Sequence, residues 1–313
     1  MIYAYDDINN WGEKICNAVE SFGENAKLFK NPYDVPDEIG NIVFIHMMHL
    51  PVHERLITKH AAEVLGNYKN ITMIPSLKEC RLYDDKVEQY LSFGSWMPDT
   101  ELFTQADDAM CYLVDDPPRG YPFVSKSREG AGASNVRIIR DGMAAVSEIN
   151  YAFNDGIPIY GGNIQHGYLL WQEFVPNLEI NWRVFIMAKR YAIVTKRWNE
   201  AGKQQVNDNG EIHQVNELTE DIEELIDFAY RFVEEKDFGW CAIDIVEGEH
   251  CAYVLETSTG FPFWWMEKGG QIFERFDDCW SASGYRADQV FSVLAKLIIE
   301  GQKNEKTIIT LDL

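Results

Sequence analysis

The sequence predicts a mixed α/β (α+β) chain of three units, and three observations carry that prediction. Strand-like and helix-like patterns alternate over residues 1–75, as in a small open sheet with parallel pairing. A glycine-containing stretch after residue 126 lies between two strands, where a nucleotide-binding strand–loop–helix would be expected to continue as a helix. From residue 168 onward the pattern is strand-rich, interrupted by one strongly amphipathic helix. The units are 1–75, 76–170 and 171–313, against a length prior of about two domains for 313 residues.

Taken in order, Asp7–Phe22 reads as a helix with Trp11, Ile15, Ala18 and Val19 on one face, and Asn41–His46 as a buried strand. Pro75 and Ser76 introduce a helix over Lys78–Phe93, which ends before Gly94 and Pro98. Tyr121–Ser125 is a short strand, Arg128–Asn135 a loop of small residues, and Val136–Ile139 a second strand. Strands follow at Tyr168–Val175, Trp182–Met187 and Tyr191–Arg197, the last two around the turn Ala188–Arg190. In the helix Glu220–Glu235, residues Ile222, Leu225, Ile226, Ala229, Phe232 and Val233 recur at spacings of three and four. Strands Trp240–Val246 and Ala252–Glu256 flank Glu247–Glu249, and the last helix covers about Ala287–Glu300.

Charge narrows the partners. There are 28 basic and 50 acidic side chains, a formal net charge of −22. Such a chain is repelled by phosphate backbones and anionic lipid, so no broad nucleic-acid surface and no membrane partner is expected. A small basic pocket for a small anion is still compatible with it. No apolar run approaches the roughly 20 residues of a membrane span, and the N-terminus lacks a signal-peptide pattern. The six scattered cysteines form no CxxC pair, which points to reduced thiols and a cytoplasmic location. Cys241 and Cys251 flank the hairpin and read as core packing.

Three constellations carry chemistry. In the first, Lys126 ends a strand beside Gly130, Gly132 and Ser134, whose backbone N–H groups and hydroxyl suit a polyphosphate. Read alone, it is better taken as a glycine-containing hairpin loop beside a surface lysine. In the second, Asp244 and Glu256 fall near the same end of adjacent strands if Glu247–Glu249 turns a hairpin. Two such carboxylates repel unless a cation lies between them, and a hard divalent ion is the natural one; solvated strand-end acids are the plain alternative. The third reverses the local sign: Arg183, Lys189, Arg190, Lys196 and Arg197 stand against one acid, Glu200. A three-residue turn pairs Met187 with Tyr191 and points Arg183 and Arg197 to one face, where they need anionic company.

In this order, over about residues 75–262, these pieces resemble the ATP-grasp superfamily, in particular its carboxylate–amine ligases such as D-alanine–D-alanine ligase and the ribosomal-protein glutamate ligases. The resemblance implies ATP clamped between the central and C-terminal units. By it, Lys86 looks like the first nucleotide-binding lysine, Lys126 like the lysine on the α/β-phosphates, and Gly130–Ser134 like the loop that folds over them. Gln172, Glu173, Phe174 and Val175 resemble the hinge strand that reads adenine, and Glu179 falls where relatives bind ribose. Arg183, Lys196 and Arg197 look like the paired basic strands, with the two arginines in the catalytic role. Asp244, Glu256 and Ser258 are similar to the Mg²⁺-binding set, with Mn²⁺ as an alternative ion. Two positions depart: Ser258 stands where the family has asparagine, and Asn181 replaces an acid of the glutamate-adding relatives.

The activity so implied is ATP-dependent activation of a carboxylate as an acyl phosphate, then joining to an amine with release of ADP and phosphate. The substrates would be small carboxylates and amines of amino-acid or peptide-like character; an oligomer is compatible with the sequence. A phosphotransferase and a non-catalytic nucleotide-binding module are the alternatives on the same scaffold. Gly260–Trp265 supplies four aromatics, either packing beneath the site or walling an acceptor. His46, His49 and His53 have metal-like spacing, but they straddle Pro51, so one helix face cannot present all three.

Overall fold

A computed structural model describes residues 1–48, 51–114, 120–130, 136–159, 164–176, 180–198, 212–260, 266 and 268–303. The first sheet is wholly parallel, in the order β2-β1-β3-β4, from β1 (Ile2–Tyr5), β2 (Ala26–Phe29), β3 (Asn41–Phe44) and β4 (Ile71–Ile74). Parallel pairing needs crossovers, and α1 (Trp11–Ser21) and α2 (Val52–Gly66) supply two of them. Helix α1 begins four residues later than its apolar pattern suggests. The Asp7 carboxylate accepts the N–H groups of Asn9 (2.8 Å) and Gly12 (3.0 Å), and Asn10 is left-handed at φ 59°. Residues 7–10 are thereby held as a turn.

The single helix expected over Lys78–Phe93 is two: α3 (Leu77–Leu82) and α4 (Lys86–Phe93). Asp84 lies between them in the left-handed region (φ 49°), which a short polar side chain tolerates better than most. Asp85 then caps α4, its carboxylate accepting the Glu88 N–H at 3.1 Å. The start of α3 is fixed by a capping box between Ser76 and Glu79. Burial raises the Glu79 carboxyl to about 7, while backbone donors from Ser76, Trp240 and Gly239 pull it back. Those last two contacts tie α3 to the first residues of the strand that carries Asp244.

The second sheet is antiparallel, in the order β5-β10-β6-β7: β5 (Thr100–Phe103), β6 (Phe123–Lys126), β7 (Val136–Ile139) and β10 (Leu169–Glu173). Its Phe103, Phe123, Ile139, Leu169 and Trp171 pack with Ala109 of α5 (Ala106–Val114) and with Ala145 and Ile149 of α6 (Gly142–Asn150). Side chains alternate along each strand, so Val124, Lys126, Gln172 and Ile138 face the other way. A short hairpin, β8 (Ile157–Pro158) with β9 (Ile164–Gln165), intervenes.

The third sheet runs β15-β14-β11-β12-β16-β17, with β13 (Ile212–Gln214) on β12. Its strands are β11 (Ile180–Met187), β12 (Tyr191–Trp198), β14 (Trp240–Glu247), β15 (Ala252–Ser258), β16 (Gln271–Phe276) and β17 (Cys279–Arg286). One face, with Val184, Ile186, Val194, Ile243 and Ile245, buries the apolar stripe of α7 (Glu220–Glu235). The other face, with Phe185, Met187, Ile193 and Ala242, shares a core with α1 and with α8 (Val290–Lys303). The β16–β17 hairpin, absent from the sequence reading, turns at Asp277 and Asp278, both with positive φ (46° and 67°). Cys241 is buried as expected, whereas Cys251 is exposed at the hairpin turn, with Gly248 N–H bonded to its carbonyl (2.9 Å). Among the described residues, no helix is long and apolar enough to cross a membrane.

Candidate active site

The cross-strand register of the third sheet brings together charged residues far apart in sequence. Arg183 on β11 lies opposite Asp244 on β14, and Asp244 lies opposite Glu256 on β15. Met187 pairs with Tyr191 and Asn181 with Arg197, so Arg197 falls on the same face as Arg183. The register shifts just after Asp244, a bulge of the kind that re-aims a side chain. Arg183 grips Asp244 with two bonds, Nε to Oδ1 at 2.5 Å and Nη2 to Oδ2 at 2.7 Å; Arg197 Nη2 adds one to Oδ2 at 2.9 Å. Burial alone would raise the Asp244 carboxyl, but the two guanidiniums outweigh it and hold it at about 2. The anionic company that the arginine pair needs is thus supplied within the chain.

Two lysines reach the same edge from the central region. Helix α4 is fastened to β15 by Gln89, whose amide donates to Thr257 O (3.0 Å) and accepts from Thr257 N–H (3.2 Å). That bridge, one turn beyond Lys86, sets the buried Lys86 ammonium 3.6 Å from Glu256 Oε2 and 3.0 Å from the Gly130 carbonyl. Lys126, at the end of β6, donates to the Leu255 carbonyl at 3.4 Å and so spans from the second sheet to the third. Burial pushes its ammonium down to about 8, opposed by Glu256 and reinforced by the neighbouring Lys86 charge. The stem of the glycine loop is anchored on the α3–α4 break. Arg128 Nε meets Asp85 Oδ2 at 2.8 Å, Gly130 N–H donates to Asp84 Oδ1 at 2.7 Å, and Lys86 N–H donates to the Arg128 carbonyl at 2.9 Å.

The remaining sequence-selected residues divide. Gln172 is buried with its amide donating to Thr100 Oγ1 (2.9 Å), while the Glu173 N–H bonds the Asp99 carbonyl (2.8 Å). Phe174 is half-buried, and Val175 lies against Gly248, where an added Cβ would come within 3.2 Å of it. Ser258 stands on the Glu256 face two residues on, its Oγ accepting the Gly260 N–H at 3.3 Å. Lys196 does not join the cluster. Odd and even positions of β12 face opposite ways, and Lys196 lies 4.3 Å from the Trp198 ring centre and 5.3 Å from that of Trp182. His46 is buried and stacked on Trp11 (3.6 Å), whereas His53 is exposed beside Glu54, so these two do not converge. Gly132, Ser134, Glu179, His49 and the aromatics at 261–265 lie outside the described residues.

Carboxylates and a hydroxyl are donors that a hard divalent ion accepts. Both Asp244 oxygens already accept from Arg183 and Arg197, however, and an ion would compete with those guanidiniums. Asp244 is ionised, Glu256 lies opposite it, Ser258 adds a hydroxyl, and Mg²⁺ commonly takes only one or two carboxylates beside substrate oxygens. Among the described residues, no group of three or more His, Cys, Asp or Glu side chains is arranged so that it could hold a metal ion. Sequence reasoning missed Gln89, Asp84 and Asp85 as builders of this site; the Asp-Asp before a helical run was a legible cap signal, but its second role on the glycine loop was not.

No protein-family model and no curated protein matches the sequence. Solved structures do match its shape. A Chryseobacterium gregarium RiPP-associated ATP-grasp ligase, in complex with ADP and a leader and core peptide, superposes with a TM-score of 0.61 at 12% identity, covering 96% of each chain. The ATP-grasp ligase PsnB, complexed with a minimal precursor, Mg and ADP, gives 0.60 at 11%, covering 97% of this chain and 98% of that one. The D-cycloserine synthetase DcsG gives 0.56 at 14%, covering 95% and 99%. The chain has the ATP-grasp fold.

Proposed function

We propose that the chain is an ATP-dependent ligase that activates a carboxylate as an acyl phosphate and joins it to an amine, with the chain divided at about residues 75 and 170. The observation that carries this reading is the meeting of Lys86 and Lys126 with Asp244 and Glu256 where the second and third sheets touch. Two cations there suit a polyphosphate, and the paired carboxylates suit the ion that accompanies it. Likeness in fold to ligases solved with ADP, Mg and peptides supports the same reading.

In this mechanism Lys86 and Lys126 hold phosphate oxygens, while Val124 and Ile138 on the cleft face of the second sheet offer apolar surface to the base. Gln172–Val175 form the hinge beside it. Asp244 and Glu256, with Ser258, would hold Mg²⁺, which supplies charge neutralisation to the triphosphate. A substrate carboxylate oxygen attacks the γ-phosphorus and ADP leaves. The amine nitrogen then attacks the acyl carbon, phosphate leaves, and the amine proton passes to solvent. Arg183 and Arg197 sit where negative charge builds in both steps. Positioning and electrostatics suffice, so no nucleophilic side chain is required. Amino-acid or peptide-like substrates fit this chemistry, and six free cysteines suit the cytoplasm.

The test incubates the chain with Mg-ATP and a panel of carboxylates and amines while ADP, phosphate and products are measured. Amine-dependent phosphate release with a condensed product supports the ligase. A stable phosphorylated product would replace it with a phosphotransferase, and ATP binding without turnover with a binding module.

A further inference from the structure

One buried cation near the site belongs to neither nucleotide-facing sheet. Arg55 lies on α2, within the first parallel unit, and is only 2% exposed. Its guanidinium forks between two carboxylates: Nη1 bonds Asp84 Oδ2 and Nη2 bonds Glu129 Oε2, partners 29 and 74 residues away in sequence. A planar fork matches two carboxylates in a way a lysine ammonium cannot. Both partners continue into the site. Asp84 Oδ1 accepts the Gly130 N–H at 2.7 Å and lies 3.9 Å from Lys86 Nζ, which itself donates to the Gly130 carbonyl at 3.0 Å. Glu129 directly precedes Gly130, and its carbonyl accepts from Ser127 Oγ at 2.8 Å. Gly130 has φ 148°, so its peptide is held in a conformation that side-chain-bearing residues rarely adopt.

We propose that Arg55 is a positioning residue: it ties α2 to Asp84 and Glu129, and so fixes the Gly130 peptide and the Lys86 ammonium in the geometry that receives the nucleotide's phosphates. The inference rests on the ligase reading above and extends it to a residue of the first unit. Without Arg55, Asp84 and Glu129 lose their shared cation, and the Asp84 carboxylate, 3.9 Å from the Lys86 ammonium, draws that ammonium toward itself. Helix α2 also presents Lys59 to this region, where burial lowers its ammonium and Asp85 and Asp84 counteract that. Lys59 donates to the Arg81 carbonyl at 3.1 Å, so it is held elsewhere and does not substitute for the fork.

The test uses the full chain with Arg55→Lys, Glu129→Gln and the double variant. Amide exchange at residues 126–130 is followed without nucleotide, and Mg-ATP affinity by titration. Arg55→Lys is expected to speed exchange at Gly130 and to weaken Mg-ATP binding by about tenfold, with the amine KM unchanged. Glu129→Gln should act in the same direction, and the double variant should be little worse than Arg55→Lys, since both cut one link. If Arg55→Lys does not fold, the partly exposed Glu129→Gln carries the test alone. Wild-type exchange and affinity in a variant whose only change is a lower melting temperature would overturn the inference, as would fully additive effects. A wild-type chain that does not bind Mg-ATP overturns the ligase reading itself; wild-type binding left unchanged by these variants overturns the Arg55 role alone.

Discussion

The two faces of strands β11 and β12 are built from alternate residues of the same segments, yet they treat positive charge in opposite ways. On one face Arg183 and Arg197 converge on a single buried carboxylate, Asp244, with Glu256 beside it. On the other, Lys196 rests between Trp182 and Trp198, and Trp182 is itself anchored by Nε1 to Glu247 Oε2 at 2.7 Å. The first face neutralises charge with charge in a dry setting, where removing one partner strands the others. The second covers a long side chain with aromatic surface near solvent, where little depends on it. Adjacent basic residues in sequence are therefore not a functional pair by adjacency alone.

That contrast is breakable at four points, in decreasing order of effect. Asp244→Asn leaves two half-buried guanidiniums without their carboxylate and should cost up to about 3–5 kcal/mol of stability. Chemical denaturation measures it, and a loss below 1 kcal/mol would show the arginines to be solvated and the face wet. Glu256→Gln should lower turnover by at least about 100-fold while adenosine affinity changes little, if the carboxylate serves the ion and not the base. Normal turnover in that variant would sink the metal assignment.

Lys126 gives a pH test. In the proposed mechanism its charged form would hold phosphate, and burial pushes its ammonium in the free chain down to about 8. As pH rises above that value the neutral form accumulates, so Mg-ATP affinity should fall, by up to about tenfold per pH unit. Lys126→Ala should bind weakly at every pH and lose that slope; a flat wild-type profile from pH 7 to 9.5 would contradict it. The smallest change belongs to the second face. Lys196→Ala should cost about 0.5–1 kcal/mol of stability with kcat unaltered, and a large kcat loss would bring Lys196 back to the site.

Much of this was legible because strand hairpins obey arithmetic. The Ala188–Arg190 turn forced the Met187–Tyr191 pair and with it the common face of Arg183 and Arg197. The apolar stripe of Glu220–Glu235 gave the helix at those bounds, because six core residues repeat without interruption. The same arithmetic puts Lys196 on the face away from Arg183 and Arg197, whereas the resemblance grouped it with them. What stayed hidden depends on distant partners. Nothing local marks Arg55 for Asp84 and Glu129, and Gln89 looks like any surface glutamine until β15 lies beside it. The β16–β17 hairpin turns on Asp277-Asp278 and not on the Asn-Gly or Asp-Gly that usually signals paired positive φ.

Helix α8 returns to pack on α1, joining Val290, Leu294 and Ile298 to Trp11, Ile15 and Val19 in one core. That contact has a consequence for biogenesis. On the ribosome, the apolar flank of α1 emerges nearly the whole chain before its cover is translated. Early residues must wait, half-assembled and sticky, for late ones. Such a chain has all four strands of its first sheet by residue 74 but gains the cover over α1 last, and chaperones have their longest opportunity at the end made first.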